Sequence, residues 1–261
     1  MQTRGPGWPE GVGRFIYPET ASSSLAAAQK LREGETAPFW LLAEKQTGGH
    51  GRRGRAWATP DGNFAASYAM RPDALPDAAL RSFTTALALR DTFVELTGRD
   101  DLFDLKWPND VLIRGKKLAG ILLESGTDKM GPWLVIGVGV NLAAAPGRDA
   151  VEPGALLPAA LGPELGVTPP PATFLDHFAD RFALWESRLM EQGFATIRRA
   201  WMDHAVGHGE EITVRLPNET LEGRFADIDG DGALLLETPV CLKRIPAGEV
   251  YLKGEANAPR D

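Results

Sequence analysis

Cysteine is almost absent from this sequence of 261 residues, in which Cys241 is the single example. One thiol excludes an internal disulfide and any metal cluster held by several cysteines. The four histidines show no ligand spacing beyond His204 and His208, which lack the glutamate of an HExxH motif, so no metal site is predicted. No apolar run reaches the length of a membrane span, and the N-terminus lacks the apolar region of a signal peptide. A soluble cytoplasmic protein without membrane contact is therefore expected.

Basic residues are outnumbered by acidic ones, since 28 Lys and Arg against 35 Asp and Glu give a net charge of −7. This balance argues against a general nucleic-acid binder, so no nucleic-acid partner is predicted. The hydrophobic share of 43% and the charged share of 24% are those of an ordinary globular protein. The length is enough for one large domain, or for a large domain with a small one.

Hydrophobic periodicity predicts strands and helices intermixed along the first 208 residues. Flanking signals support the helices, because hydroxyl side chains precede the first and Gly98 follows the second. Residues 64–70 alternate as a half-buried strand, and the aromatic stripe of residues 174–190 is typical of a core-facing helix. The predicted strands are residues 15–17, 39–43, 64–70, 111–113, 118–123 and 133–142, and the predicted helices are residues 25–32, 76–96, 174–190 and 194–204.

From residue 209 onward the pattern changes to short strands separated by turn residues, at residues 212–216, 221–228, 233–237 and 243–252. This spacing is typical of a small β-barrel of about five strands. The segment from Asp227 to Gly232 resembles the start of a calcium loop. Thr238 stands where a calcium loop has its glutamate, so a hairpin turn is predicted instead. We therefore expect two domains, residues 1–208 and residues 209–261.

A polar corner followed by a hairpin is the strongest candidate for a reaction centre. The segment Trp107-Pro108-Asn109-Asp110 favours a turn and leads directly into an apolar strand. After a tip at Arg114-Gly115-Lys116, Lys117 stands at the start of the second strand, where its ammonium group would lie against a packed surface. Gly120 removes a side chain inside that strand, where another group approaches closely. An ordinary hairpin with a solvated basic tip is the alternative.

The segment from Gln46 to Trp57 combines four glycines with three arginines. Glycine lets backbone N–H groups approach a phosphate, and guanidinium groups neutralise its charge. The spacing of Gly49 and Gly54 matches a P-loop, but Arg and Ala follow where that motif needs Lys and Ser or Thr, which excludes it. We predict a loop that is mobile when empty and closes over a polyanion, with a flexible linker as the alternative.

Two further segments offer polar groups for a ligand. Residues 22–24 are all serines before the first predicted helix, and an N-cap explains one hydroxyl rather than three. The strand of residues 133–142 contains Gly137 and Gly139 and ends near Asn141. It fails as a dinucleotide fingerprint because the third glycine and the following helix are absent. Its glycines are expected to admit a ligand or a neighbouring strand.

Taken together, these motifs resemble those of the biotin protein ligases. The matching motifs are GGHGRRGRAW, KWPNDV, KKLAGILLE, GVGVN and IDGDGALLL with a later AGEV, in the family's order across about residues 15–253. The resemblance implies an α+β fold with a mixed β-sheet catalytic domain of the biotin/lipoate ligase type and a small C-terminal SH3-like β-barrel. It also implies the short form of the family, without the N-terminal helix-turn-helix domain, so no repressor function is expected.

The resemblance implies the activity of an ATP-dependent ligase. Biotin would be activated as biotinyl-5'-AMP and transferred to a lysine of a biotin carboxyl carrier protein or domain of acetyl-CoA carboxylase. Mg²⁺ is expected with ATP, held mainly by the phosphates. The alternatives are a lipoate-protein ligase with the same adenylate chemistry and a non-catalytic biotin-binding sensor. A homodimer through an exposed sheet edge is a further prediction.

The same resemblance implies the site residues, with Lys117 bridging the biotin carboxylate and the α-phosphate. Two motifs differ from the usual family pattern, because Ser22-Ser23-Ser24 replaces Ser-Thr-Asn and His50 replaces Arg. The catalytic residues are predicted to be Lys117, Arg52 and Asp110. The predicted biotin-binding residues are Ser22, Ser23, Ser24, Gln46, His50, Gly51, Arg52, Lys117 and Gly120, and the predicted ATP-binding residues are Arg52, Arg53, Trp57, Asn109, Lys117 and Asn141.

Overall fold

A computed structural model describes residues 7–73, 75–151 and 155–252 of the chain. The outer ends of the two predicted domains, residues 1–6 and 253–261, lie outside the described residues. Among the described helices, none is long and apolar enough to cross a membrane.

A seven-stranded mixed sheet forms the framework of the larger part of the chain. Its strand order is β1-β2-β3-β7-β6-β5-β4. Only the β1–β2 pair is parallel, and the other pairs in this sheet are antiparallel. The strands are β1 (Gly13–Thr20), β2 (Phe39–Gln46), β3 (Phe64–Met70), β4 (Phe103–Lys106), β5 (Asp110–Ile113), β6 (Lys116–Asp128) and β7 (Gly131–Val140). The predicted mixed sheet is thus confirmed.

Helices cover both faces of this sheet, and strand alternation separates two cores. In β2, Phe39 and Leu41 point into a small core with α1, whereas Trp40 and Leu42 point into the main core with α2 and α4. Ser22 caps α1, and Gly98 ends α2 in the left-handed conformation that glycine favours. The helices are α1 (Ser23–Arg32), α2 (Arg81–Thr97, after a 3₁₀ turn at Pro76–Leu80), α3 (Leu161–Leu165), α4 (Pro171–Gln192) and α5 (Phe194–Met202).

The two-sided cover explains one wrong prediction. Residues 64–70 form β3 as predicted, but six of these seven residues are buried, so the strand is not half-buried. Helix α1 covers one face of β3 and α4 covers the other. The apparent alternation of this segment comes from small residues, such as Ala65 and Ala69, on the side of α1. The aromatic stripe of α4 is confirmed as core.

A second sheet of five antiparallel strands follows, with the order β11-β10-β9-β8-β12. Its strands are β8 (Glu211–Arg215), β9 (Thr220–Ile228), β10 (Leu234–Glu237), β11 (Leu242–Ile245) and β12 (Glu249–Leu252). The number of strands agrees with the prediction, but residues 243–252 are two strands rather than one. Pro246 and Gly248 separate them, and both residue types favour turns.

The predicted hairpin turn at residues 227–232 docks the second sheet against the first part of the chain. The Asp229 N–H donates to the Ala233 carbonyl oxygen over 2.8 Å, which closes the turn between β9 and β10. Trp107 Nε1 donates to the Gly232 carbonyl oxygen over 3.1 Å. A Cβ atom at Gly232 would lie 2.8 Å from the Phe83 ring, so this contact requires glycine.

Candidate active site

A cavity of about 470 Å³ lies between the glycine-arginine loop (residues 46–57), the polar corner before β5, strands β6 and β7, and β12 of the second sheet. The structure thus gathers segments that lie far apart in sequence. Arg53 is the single predicted site residue that is not part of the cavity wall. The predicted site residues that line the cavity are Ser22, Ser23, Ser24, Gln46, His50, Gly51, Arg52, Trp57, Asn109, Asp110, Lys117, Gly120 and Asn141.

A β-bulge directs Lys117 into the cavity. Val111 pairs with Ala119, but the next residue, Leu112, pairs with Lys117, so Leu118 is an extra residue in β6. In a regular strand, residues 117 and 120 would point to opposite faces. The bulge places residues 117 and 120 on the same face of the sheet. A Cβ atom added to Gly120 would lie 3.4 Å from Lys117 Cε. Leu118 instead joins Ala119 in the main core.

The Lys117 side chain meets an opposite charge and an aromatic ring. Its Nζ atom lies 2.8 Å from Asp110 Oδ1 and 5.7 Å from the centroid of the Trp57 ring. The Lys117 side chain is 32% exposed and that of Asp110 is 15% exposed, so both charges are partly desolvated. Partial desolvation strengthens their interaction with each other and with any anion that enters.

Backbone pairing fixes the position of Lys117. Its N–H donates to the Leu157 carbonyl oxygen over 2.8 Å, and its carbonyl oxygen accepts from the Ala159 N–H over 2.9 Å. Asn141 holds the same segment, because its Nδ2 donates to the Ala159 carbonyl oxygen over 3.0 Å. Its Oδ1 accepts from Asn63 Nδ2 over 3.4 Å. In this structure Asn141 therefore supports the cavity wall through both ends of its amide.

The glycine-arginine loop is attached to the second sheet. Arg52 donates to Asn109 Oδ1 over 3.4 Å and to the Gly248 carbonyl oxygen over 3.2 Å. Arg53 lies 3.6 Å from Glu249 Oε2, and Arg55 also forms an ion pair with Glu249. These side-chain contacts hold the loop in place, and its mobility in the empty site stays a prediction.

Burial and charge shift two pKa values at this attachment. Burial lowers the pKa of Arg52, and the nearby Asp110 and Glu249 carboxylates oppose that shift. Burial tends to raise the pKa of Glu249, but the hydrogen bond and charge of Arg55 outweigh it and lower that pKa. Glu249 is therefore ionised at neutral pH and matches the positive charge of the loop.

Three glycines open the sheet face beneath the cavity. A Cβ atom at Gly139 would collide with the Trp57 indole, and a Cβ atom at Gly120 would lie 3.2 Å from the same ring. A Cβ atom at Gly137 would collide with Ser24 Oγ. Gly137 and Gly139 were expected to admit a ligand or a neighbouring strand, but in this structure they make room for the side chains of Ser24 and Trp57. The close approach expected at Gly120 is present, and the Trp57 ring makes it.

The start of α1 forms the inner wall of the cavity. Ser22 caps the helix by accepting from the Leu25 N–H over 3.4 Å. Gln46 Oε1 accepts from the Ser23 N–H over 2.8 Å, and its Nε2 donates to Thr59 Oγ1 over 3.4 Å. One serine is thus the predicted N-cap, while the other two hydroxyls have other partners. 

His50, which lines the cavity, faces the carboxylate of Glu124. Its Nε2 atom lies 3.5 Å from Glu124 Oε1, an ion pair only when the imidazole is protonated. Glu124 Oε2 is buried and has no hydrogen-bond partner among the described residues. The Gly51 N–H donates to the Arg55 carbonyl oxygen over 2.7 Å and so shapes the loop.

Among the residues that sequence analysis missed are three polar ones that contact predicted site residues. Ser67 contacts Ser23 and Ser24 from β3, and its signal was the single serine in the otherwise apolar and aromatic strand FAASYAM. Glu124 sits at the end of the motif KKLAGILLE, and Glu249 sits within AGEV. Both carboxylates belong to recognised motifs, but no local pattern indicates that Glu124 faces His50 or that Glu249 pairs with Arg53 and Arg55.

The fold and the cavity together define a class of protein, in which a mixed sheet and a small β-sheet enclose one cation-lined ligand cavity. Residues 13–141 match the Biotin/lipoate A/B protein ligase family, and residues 207–253 match the Biotin protein ligase C terminal domain. The chain belongs to the biotin protein ligase family.

Named relatives agree with this assignment. The chain is 46% identical over 235 residues to the biotin--[acetyl-CoA-carboxylase] ligase of Paracoccus denitrificans, covering 89% of this chain and 98% of the relative. It is 34% identical to the ligase of that name from Mycobacterium tuberculosis, covering 94% of this chain and 90% of the relative. A solved biotin protein ligase from Aquifex aeolicus, in complex with biotin and ATP, shares the fold with a TM-score of 0.78 at 24% identity. That comparison covers 92% of this chain and 98% of the solved one.

Proposed function

We propose that this protein activates biotin with ATP as biotinyl-5'-AMP and transfers the biotinyl group to a lysine of a biotin carboxyl carrier domain of acetyl-CoA carboxylase. One observation carries the proposal. A single cavity is lined by Lys117, by the glycine-arginine loop and by the glycines of β6 and β7, all of which belong to the motifs that resemble the family's. The identity of 46% to a biotin--[acetyl-CoA-carboxylase] ligase supports the same substrates.

Activation brings two anions together, and Lys117 is the residue suited to that task. A carboxylate oxygen of biotin attacks the α-phosphorus of ATP and forms a new P–O bond. The bond from that phosphorus to the oxygen bridging the α- and β-phosphates breaks, and pyrophosphate leaves with its electron pair. An ammonium group between the two anions offsets their repulsion and the charge that grows in the transition state. The ion pair with Asp110 holds Lys117 over the cavity, and the incoming anions would compete with Asp110 for it.

Transfer requires a neutral amine and an intact adenylate. The amine of the carrier lysine attacks the acyl carbon of the mixed anhydride, an amide forms, and AMP leaves with the electron pair of the broken bond. Asp110 is proposed to orient that amine and to accept its proton. Arg52 and the loop are proposed to cover the adenylate and exclude water, which would otherwise hydrolyse it.

The remaining predicted contacts are proposed from their places in the cavity. Gln46 and the serines at the start of α1 would bind the ureido ring of biotin, and the space over Gly120 would receive its chain. Trp57, Asn109, Arg52 and Asn141 would lie near the nucleotide. Arg53 would act through the attachment to Glu249 rather than by direct contact, since it lies outside the cavity wall.

Magnesium would arrive with ATP. The described residues contain no group of three His, Cys, Asp or Glu side chains that could hold a metal ion. The cavity carboxylates Asp110 and Glu249 are already paired with cations. Mg²⁺ prefers oxygen ligands and retains water, so the phosphates of ATP fit it better than these side chains, and the ion supplies further neutralisation of phosphate charge.

The wider predictions belong to the same proposal. The chain would act in the cytoplasm without a nucleic-acid partner, which its net charge of −7 supports. A homodimer would form by pairing of β1, which stands at one end of the strand order in the large sheet.

Exchange of labelled pyrophosphate into ATP tests the proposal, with biotin and lipoate supplied separately. Exchange that depends on biotin, followed by transfer to a carrier domain, is the expected result. Exchange with lipoate alone would replace the substrate while keeping the chemistry. Tight biotin binding without exchange would favour the non-catalytic sensor and contradict the proposed enzyme.

A further inference from the structure

Three serine hydroxyls meet at the inner wall of the cavity. Ser67 Oγ lies 2.8 Å from Ser23 Oγ and 3.1 Å from Ser24 Oγ. Ser67 is fully buried at 0% exposure, whereas Ser23 and Ser24 line the cavity. The residues on the same face of β3 are Ala65 and Ala69, so an alanine would fit this position without a polar group. A buried hydroxyl is unfavourable unless it is hydrogen-bonded, which makes Ser67 notable.

The protons of this cluster determine what it presents to a ligand. Each hydroxyl has one proton and can also accept hydrogen bonds. The two bonds to Ser67 use two of the three protons. Ser23 and Ser24 are the hydrogen-bond partners of Ser67 Oγ among the described residues, so we assign the buried Ser67 proton to one of these two bonds. Ser67 therefore donates to one neighbour and accepts from the other. The first neighbour keeps its proton for the cavity, and the second presents oxygen lone pairs only.

We propose that Ser67 is a positioning residue that makes Ser23 and Ser24 into one donor and one acceptor toward the ligand. The inference rests on the proposed function, because the ureido ring of biotin places an acceptor oxygen beside N–H donors. One donor and one acceptor on the protein match that arrangement. Without Ser67 both hydroxyls rotate independently, and the fixed pattern is lost.

The surroundings hold this pair in place. The Ser23 backbone is fixed by Gln46 Oε1 over 2.8 Å. Gly137 leaves the space that Ser24 Oγ occupies, since a Cβ atom there would collide with it. The hydroxyls are therefore fixed in position, and their remaining freedom is the direction of each proton. Ser67 removes that freedom.

Ser67→Ala tests the inference in biotin-dependent pyrophosphate exchange. Losing one oriented hydrogen bond should raise KM for biotin about tenfold and leave kcat within about twofold. Thr92→Ala is the matched control, because Thr92 Oγ1 is also fully buried and donates to the Ala88 carbonyl oxygen over 2.7 Å, inside α2. The control should leave KM for biotin unchanged.

A ligand analogue separates proton direction from general support of the pocket. The 2-imino analogue of biotin has a nitrogen with hydrogens in place of the ureido oxygen, so when protonated it presents donors only. The ratio of kcat/KM for biotin to that for the analogue should fall about tenfold in Ser67→Ala and not in Thr92→Ala. An unchanged ratio in an active Ser67→Ala protein would overturn this inference alone. Absence of biotin-dependent exchange in the wild-type protein would overturn the proposed function and the inference with it.

Discussion

The ammonium group of Lys117 lies 2.8 Å from Oδ1 of Asp110, on the neighbouring strand of the sheet. The bulge at Leu118 makes this contact possible, because it moves Lys117 to the face that Gly120 occupies. At this distance the Asp110 carboxylate neutralises the Lys117 ammonium group, and an anion that enters the cavity would compete with Asp110 for it. The cavity thus contains a cation that is held in position and can exchange its partner.

Lys117→Ala should lower the rate of biotin-dependent pyrophosphate exchange by about 100-fold or more, because the cation between the two reacting anions is lost. Lys116→Ala is the matched control, since the neighbouring lysine pairs with Glu164 over 2.7 Å and does not line the cavity. The control should retain near-normal exchange. Equal activity of the two variants would remove Lys117 from the mechanism.

Glu249→Gln should loosen the glycine-arginine loop, because it removes the charge that Arg53 and Arg55 share. The expected result is a severalfold faster release of biotinyl-AMP, measured as free adenylate in the absence of carrier. Glu237→Gln is the control, since Glu237 pairs with Arg224 within the second sheet. Unchanged release from Glu249→Gln would contradict attachment of the loop through this residue.

Acid should remove the stabilisation that Glu249 provides. Its pKa is lowered from the usual value of 4.5, so the contribution is fully present above pH 4.5 and is lost as the pH falls through the lowered value. The unfolding free energies of wild type and Glu249→Gln should differ most at neutral pH and converge under acid. Urea unfolding over about pH 3 to 7 measures this difference. A gap that widens on acidification would contradict the assigned direction.

Gly139→Ala should displace the Trp57 indole, because the added methyl group would occupy the position of that ring. With Trp57 proposed near the nucleotide, KM for ATP should rise about tenfold while the protein stays folded. Gly147→Ala is the control, since a Cβ atom there meets nothing within 4 Å. Equal KM values for the two variants would exclude a role for the indole position in ATP binding.

His50→Arg should strengthen closure of the loop over the site. A guanidinium group is permanently charged and can pair with both oxygens of Glu124, including the buried Oε2 that lacks a partner among the described residues. Release of biotinyl-AMP should slow severalfold relative to wild type. The same variant combined with Glu124→Gln should release it at the wild-type rate or faster, and slow release from the double variant would show that Glu124 is not the partner.

Local pattern predicted most of the elements, because each depends on residues a few positions apart. The predicted strands and helices overlap observed ones, but β4 and α3 were not predicted. Ser22 and Gly98 act as the predicted cap and stop. The direction of Lys117 could not be predicted in this way, since the apolar run from Leu118 onward contains no mark of the bulge.

The partners of the site residues depend on long-range packing. Glu249 reaches Arg55 from the second sheet, and Ser67 reaches Ser23 across 44 positions of sequence. Neither contact leaves a signal in the spacing of nearby residues. The prediction that β3 is half-buried was wrong for the same reason. Helix α4, which covers the second face of β3, lies about a hundred residues further along the chain.

The attachment of the arginine loop to β12 has a consequence for engineering. A split form of the protein, divided between α5 and β8 into two separate polypeptides, would leave Lys117 and its hairpin in one fragment. Gly248 and Glu249, which attach the loop to the second sheet, would lie in the other fragment. Reassembly of the two fragments would then be reported by retention of the adenylate. The cavity could thus report complementation, because Lys117 would lie on one polypeptide and the residues that attach the loop to the second sheet would lie on the other.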